Sequence, residues 1–212
     1  MAIFDRLEHF MQTWRHTTVS LNPPASAAQI EAAEKAMHVR LPDEVRAAYR
    51  RFNGVTREAF SPAYPARHPG PALFVNMYDW VDLERMVSLW RMMKSIEAQF
   101  MASGVWQRVR ASDIQPHLKA RPVDWCRKWV PIGDSGHFDK VYVDVAPTKA
   151  GVRGQIVYAG RGFGPEVSAV GFNSYLERLL TAYDSGKLIL DKGYFWKTRS
   201  GAIVTDLASA GV

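Results

Sequence analysis

Residues 129–145 read Trp-Val-Pro-Ile-Gly-Asp-Ser-Gly-His-Phe-Asp-Lys-Val-Tyr-Val-Asp-Val, and this stretch decides the fold class. Trp129 to Ile132 is a short apolar run, Asp134-Ser135-Gly136 carries turn chemistry, and Lys140 to Val145 alternates, with Val141, Val143 and Val145 opposite Tyr142 and Asp144. Two such runs on either side of an Asp/Ser/Gly turn spell an antiparallel hairpin. Moving outward, Gln155 to Ala159 supplies another strand after the Gly151 to Gly154 turn. The glycines of Gly160-Arg161-Gly162-Phe163-Gly164-Pro165 make a bend before a strand over Val167 to Val170.

On both sides of this β block the apolar period changes from two to nearly four. Ile3, Leu7, Phe10 and Trp14 mark an amphipathic first helix, which Asn22-Pro23-Pro24 closes off. Ser26 with Gln29 forms a capping box for a second helix whose inner face is Ile30, Ala33 and Met37. Pro42 suits the first turn of a third helix, Val45, Tyr49 and Phe52 recur along it, and Asn53-Gly54 stops it. Ala72 to Tyr78 reads as a short strand. Leu83, Met86, Val87, Trp90 and Met93 then mark a helix running to about Phe100, with Asp79 or Asp82 as its cap. After the strands, Ser174 with Glu177 reads as a second capping box, and Tyr175, Leu176, Leu179, Leu180 and Tyr183 give a closing helix. Residues 188–212 read as a tail. Helices, then strands, then a helix is the α+β order rather than strict alternation. The expectation is one domain over residues 1–212, with a largely antiparallel sheet of about four to six strands packed with N-terminal, central and C-terminal helices.

Composition narrows the functional classes. A chain of 212 residues, 47% hydrophobic and 23% charged, has ordinary globular make-up. No run approaches the roughly 18 apolar residues of a membrane span, and Asp5 and Glu8 break the apolar core that a secretion signal requires. A lone cysteine, Cys126, can form neither an internal disulfide nor a Cys-rich zinc site, which fits a cytoplasmic protein. The net charge of +6 is concentrated: eight Lys and Arg lie between Arg91 and Lys128 against Glu97, Asp113 and Asp124. Trp106, Trp125 and Trp129 stand among those cations, a composition that stacking on single-stranded nucleic acid could use. No recognition motif accompanies it, so nucleic acid is not the expected partner, and Trp with Arg is equally a hot-spot composition for protein contact. Pro62, Pro65, Pro69 and Pro71 place a long surface loop over 61–71, and residues 103–125 have no clear period. The Trp90, Met92, Met93 stripe reads as core.

The only dense polar cluster is Asp134, Ser135, His137 and Asp139, with Asp144 beyond it. Asp134, His137 and Asp139 could ligate a metal, but three ligands on one turn without a remote His or Cys make a poor site, and turn-forming, solvated residues are the default reading. Gly133-Asp134-Ser135-Gly136-His137 fails the Gly-x-Ser-x-Gly pattern at its last position. Gly160, Gly162 and Gly164 lack the spacing of a dinucleotide fingerprint, and nothing near Cys126 supplies a base.

Three stretches together resemble the SMI1/KNR4 family, also called the SUKH superfamily. They are Ile30 to Val55, with Leu41-Pro42-Asp43-Glu44 and Phe52-Asn53-Gly54; Trp129-Val130-Pro131-Ile132-Gly133 with Asp139, the Val141 to Val145 strand, Asp144 and Pro147; and Gln155-Ile156-Val157-Tyr158 followed by the Asn173 to Tyr183 helix. The likeness covers roughly residues 25–184, leaving the helix at 3–14 and the tail outside. It implies an SMI1/KNR4-like α+β fold, no enzymatic activity, no cofactor or metal, and in bacteria a frequent role as an immunity protein that neutralises a toxin or effector domain by direct binding. Fungal relatives imply a regulatory or scaffold module in cell-wall synthesis as the alternative, and a metal-assisted hydrolase is the remaining one. Partner contacts are expected at Asp134, His137, Asp139, Tyr142 and Asp144, with Trp129 and Trp106 as anchors, and a homodimer is compatible with the reading. Many relatives that block basic nucleases are acidic, so a charge of +6 argues against a strongly cationic target.

Overall fold

The computed structural model describes residues 2–14, 19–57, 71–75, 78–104, 114–136, 139–160, 163–191, 195–205, 207 and 211–212. Among them are the helices α1 (Ile3–Thr13), α2 (Ala27–Met37), α3 (Asp43–Arg51), α4 (Leu83–Ala102) and α5 (Phe172–Asp184). The strands are β1 (Val19–Leu21), β2 (Val55–Arg57), β3 (Asp79–Trp80), β4 (Trp129–Asp134), β5 (Lys140–Asp144), β6 (Ile156–Gly160), β7 (Phe163–Ala169), β8 (Leu188–Asp191) and β9 (Phe195–Thr198). Residues 61–70 of the expected proline loop, Trp106 and His137 fall outside the described residues.

The main sheet has the order β3-β4-β5-β6-β7, every pair antiparallel, so the α+β reading and the expected strand number both hold. Register puts Val130 and Val143, Val143 and Ile156, and Val141 and Tyr158 on one face. That face meets α5, where the Tyr158 and Tyr175 hydroxyls lie 2.9 Å apart. Phe74 packs beside Tyr175 and Phe172. The other face carries Trp129, Lys140, Tyr142 and Asp144. It lies under α4 and the 114–128 segment: the Trp125 indole donates to the Trp129 carbonyl at 3.2 Å, and the Trp90 indole donates to Arg127 at 3.2 Å. Because both faces are covered, β5 is buried along its whole length. Tyr142 and Asp144, expected as partner contacts, therefore lie inside.

Helix starts follow local chemistry in two cases. Ser26 and Gln29 form the reciprocal capping box of α2, and Asp82 accepts the Arg85 amide at 2.7 Å to cap α4. The start of α5 is different. The helix begins at Phe172, before the expected Ser174 box, and its first amides go to a remote carboxylate: Phe172 N to Glu44 Oε1 at 2.9 Å and Asn173 N to Glu44 Oε2 at 3.2 Å. Glu44 sits in the first turn of α3, so one side chain caps α5 and joins two helices.

Four further readings change. Ala72 to Tyr78 is not a continuous strand; Phe74 and Tyr78 form an isolated bridge and β3 follows. The Gly160 to Pro165 bend lies within the β6–β7 hairpin, with Gly160 paired to Phe163. The small sheet β1-β2 went unread, its strands being only three residues each. Finally, the expected tail at 188–212 contains the β8–β9 hairpin. Trp196 is buried there, stacks on Phe10 of α1 and donates its indole N–H to the Ala72 carbonyl at 2.9 Å.

Candidate functional site

The β4–β5 hairpin is the candidate site, and its charges turn inward. Asp134 ends β4. Its Oδ2 accepts Nη2 of Arg85 at 2.6 Å and Nε at 3.2 Å, while Oδ1 accepts the Gly136 amide at 3.0 Å and lies 3.1 Å from the Lys140 ammonium. Lys140 is 2% exposed, so Asp134 is the counter-charge of a buried cation. Burial works to raise the Asp134 pKa, but the Arg85 hydrogen bond and the Lys140 charge outweigh it and hold the carboxyl below its ordinary range. Asp139 lies against the backbone of Gly160, where an added Cβ would meet its Oδ1 at 1.9 Å.

At the other end of β5, Asp144 is fully buried. Its Oδ1 accepts the Ala146 amide at 3.0 Å and its Oδ2 accepts Nε2 of Gln155 at 3.1 Å. Desolvation raises its pKa despite these hydrogen bonds. Gln155 also donates to the Lys119 carbonyl at 2.9 Å, so this carboxylate and amide fasten the 114–128 segment to the end of the central strand. Tyr142 and Trp129 are buried with ring centroids 5.7 Å apart, and burial pushes the Tyr142 phenol upward.

Of the expected contact residues, the structure thus places Asp134 at one end of the hairpin, paired with Lys140, and Trp129, Tyr142 and Asp144 at the other. At the turn it leaves Gly136 exposed and Ser135 and Asp139 half-buried. Trp125, like Trp129, is buried and offers no ring to a nucleotide base. The Cys126 thiol is pushed up to about 11, chiefly by burial, and so stays protonated near neutrality. Among the described residues no three His, Cys, Asp or Glu side chains converge as metal ligands, and no helix is long and apolar enough to cross a membrane. The sequence reading missed Lys140 as a buried cation and Arg85 as a partner of Asp134. A charge at an inward strand position was the available signal for Lys140; nothing local announces Arg85.

A five-stranded antiparallel meander closed by α5 on one face and by α4 with the 114–128 segment on the other defines an α+β protein whose hairpin charges serve its own fold. The chain belongs to the SMI1 / KNR4 family (SUKH-1), whose family profile matches residues 24–178. That match begins just before α2 and ends inside α5, leaving α1 and the β8–β9 hairpin outside it. A search of curated proteins finds no match.

Proposed function

We propose that this protein is a non-enzymatic immunity protein that blocks a toxin or effector domain by one-to-one binding. Membership of the SMI1 / KNR4 family over residues 24–178 carries the reading, because the bacterial members of that family frequently act in this way. The site's chemistry supports it. The carboxylates of the hairpin serve as internal counter-charges and hydrogen-bond acceptors. The one cysteine is a protonated, largely buried thiol. Such groups shape a surface and are poorly placed to attack a bond or move a proton at neutral pH. Contact then falls to the turn end of the hairpin, where Gly136 is exposed and Ser135 and Asp139 are half-buried, while Trp129 and Tyr142 lie in the core rather than touching the partner.

Co-expression tests this. A toxin domain encoded beside this gene should lose its lethality when the protein is present at equal dose, and the two should purify as a one-to-one complex. Protection at a small fraction of the toxin's concentration would point to turnover and end the reading. Full protection by Asp139→Arg, checked for native circular dichroism because Asp139 packs on Gly160, would remove the hairpin from the interface.

A further inference from the structure

At the end of the β4–β5 hairpin away from its turn, four separate segments meet around a cleft of about 410 Å³. Its walls are Lys35, His38, Val39 and Arg40 at the end of α2, Lys128 before β4, Val145 and Ala146 after β5, and Arg153 in the turn before β6. Among the described residues Glu34 is the only acid that lines it, and both of its oxygens are engaged: Oε1 by the Leu41 amide at 2.8 Å and Oε2 by Arg46 at 2.5 Å. Arg153 donates Nη2 to the Arg40 carbonyl at 2.6 Å, which fixes its guanidinium at the rim. Among the described residues, Lys35, Arg40 and Lys128 have no ion-pair partner.

The negative end of α2 accounts for a cation at Lys35. It does not account for Lys128 and Arg153, which arrive from other elements and, with Arg40, repel one another across the same concavity. Unneutralised like charges gathered around a cleft disfavour the compact state and favour an anionic ligand. The ligand's class follows from the walls. Among the described residues no Phe, Tyr or Trp lines the cleft, and His38 is its one aromatic ring, so bases find no stacking platform of successive large rings. Val39, Val145 and Ala146 floor it with aliphatic surface, which suits the stem of a Glu or Asp side chain.

We infer that this cleft is the docking site for an acidic segment of a protein partner. The inference rests on the protein-binding reading above and adds the partner's chemistry. The probe is a fluorescently labelled hexaglutamate peptide, followed by anisotropy against the full-length protein. Lys35→Glu/Lys128→Glu is compared with Arg50→Glu/Lys187→Glu, an equal change of net charge placed outside the cleft. Neither Lys35 nor Lys128 makes a side-chain hydrogen bond among the described residues, so the fold should survive. The expected result is binding that weakens with salt, falls about tenfold or more in the cleft variant and changes little in the other. Equal loss in both variants would overturn the inference by assigning the signal to overall charge. Tighter, cleft-dependent binding of a single-stranded oligonucleotide of the same charge would overturn it in favour of nucleic acid. If wild-type protein binds the peptide but protects against no toxin, the immunity reading falls and the cleft stands. If the cleft variant still protects fully against a toxin that wild-type protein blocks, the cleft falls and the immunity reading stands.

Discussion

Lys140 decides how the hairpin residues are understood. Its ammonium is buried and faces Asp134, so removing the acid leaves a charge without compensation. Asp134→Asn should therefore destabilise the protein by about 3 kcal/mol at neutral pH, the low end for a broken buried pair because Asn keeps one acceptor. The pH dependence has a definite sign. The folded pKa of Asp134 lies below its ordinary value of 3.8, so its contribution is complete above that value and is lost as pH falls through the lower, folded one. Urea melts of wild type and variant should differ at neutral pH and converge as pH falls through the lowered, folded pKa of Asp134; a gap that persists once the carboxyl is protonated would rule out the ion pair as its source. Asp144 works in the opposite direction, since its pKa is raised and its protonated form is the one favoured by folding. Gly54 is a second single-residue constraint. Its φ is +74°, and a Cβ would come within 2.6 Å of the Val81 and Asp82 backbone. Gly54→Ala should cost about 3 kcal/mol in denaturant melts, combining left-handed strain with a backbone clash.

At the scale of elements, legibility tracked the range of the interaction. The starts of α2 and α4 were readable because Ser26 and Asp82 cap within three residues. The start of α5 was not, because its cap is Glu44, a residue more than a hundred positions upstream. Ser174 and Glu177 fitted the local pattern and lost to a long-range competitor. Glu44→Ala should cost about 1–2 kcal/mol from the lost cap and the lost negative charge at the helix N-terminus. It should also speed amide exchange at Phe172 and Asn173 more than elsewhere in α5; uniform exchange along the helix would argue against the cap. The same reasoning explains β5. Alternation is a local signal and was read correctly as a strand, whereas coverage of both faces is a tertiary fact that put Tyr142 and Asp144 inside. Of the site, the hairpin and its polar residues were legible, but which of those residues face solvent was not.

Across the whole molecule, the question is whether the segments outside the family match are accessories or parts of one core. Phe10 of α1, Tyr183 of α5 and Trp196 of β9 form a single aromatic cluster, with Phe10 to Tyr183 at 4.9 Å and Phe10 to Trp196 at 5.9 Å. Val204 and Leu207, further on, are buried as well. Arg6 adds ion pairs to Glu177 at 2.6 Å and Asp184 at 2.8 Å, but both acids are more than half exposed, and such pairs are worth little. The apolar cluster therefore holds the two ends of the chain to α5. Trp196→Ala should cost about 4 kcal/mol, from a large buried ring and a broken indole hydrogen bond. For a chain of this length that corresponds to a fall in Tm of about 8–16 °C. The transition should stay single by both calorimetry and tryptophan fluorescence, since α1 and the β8–β9 hairpin share their core with α5. An early, separate melting of the C-terminal hairpin, with the main transition unmoved, would show that residues 188–212 are an appendage after all.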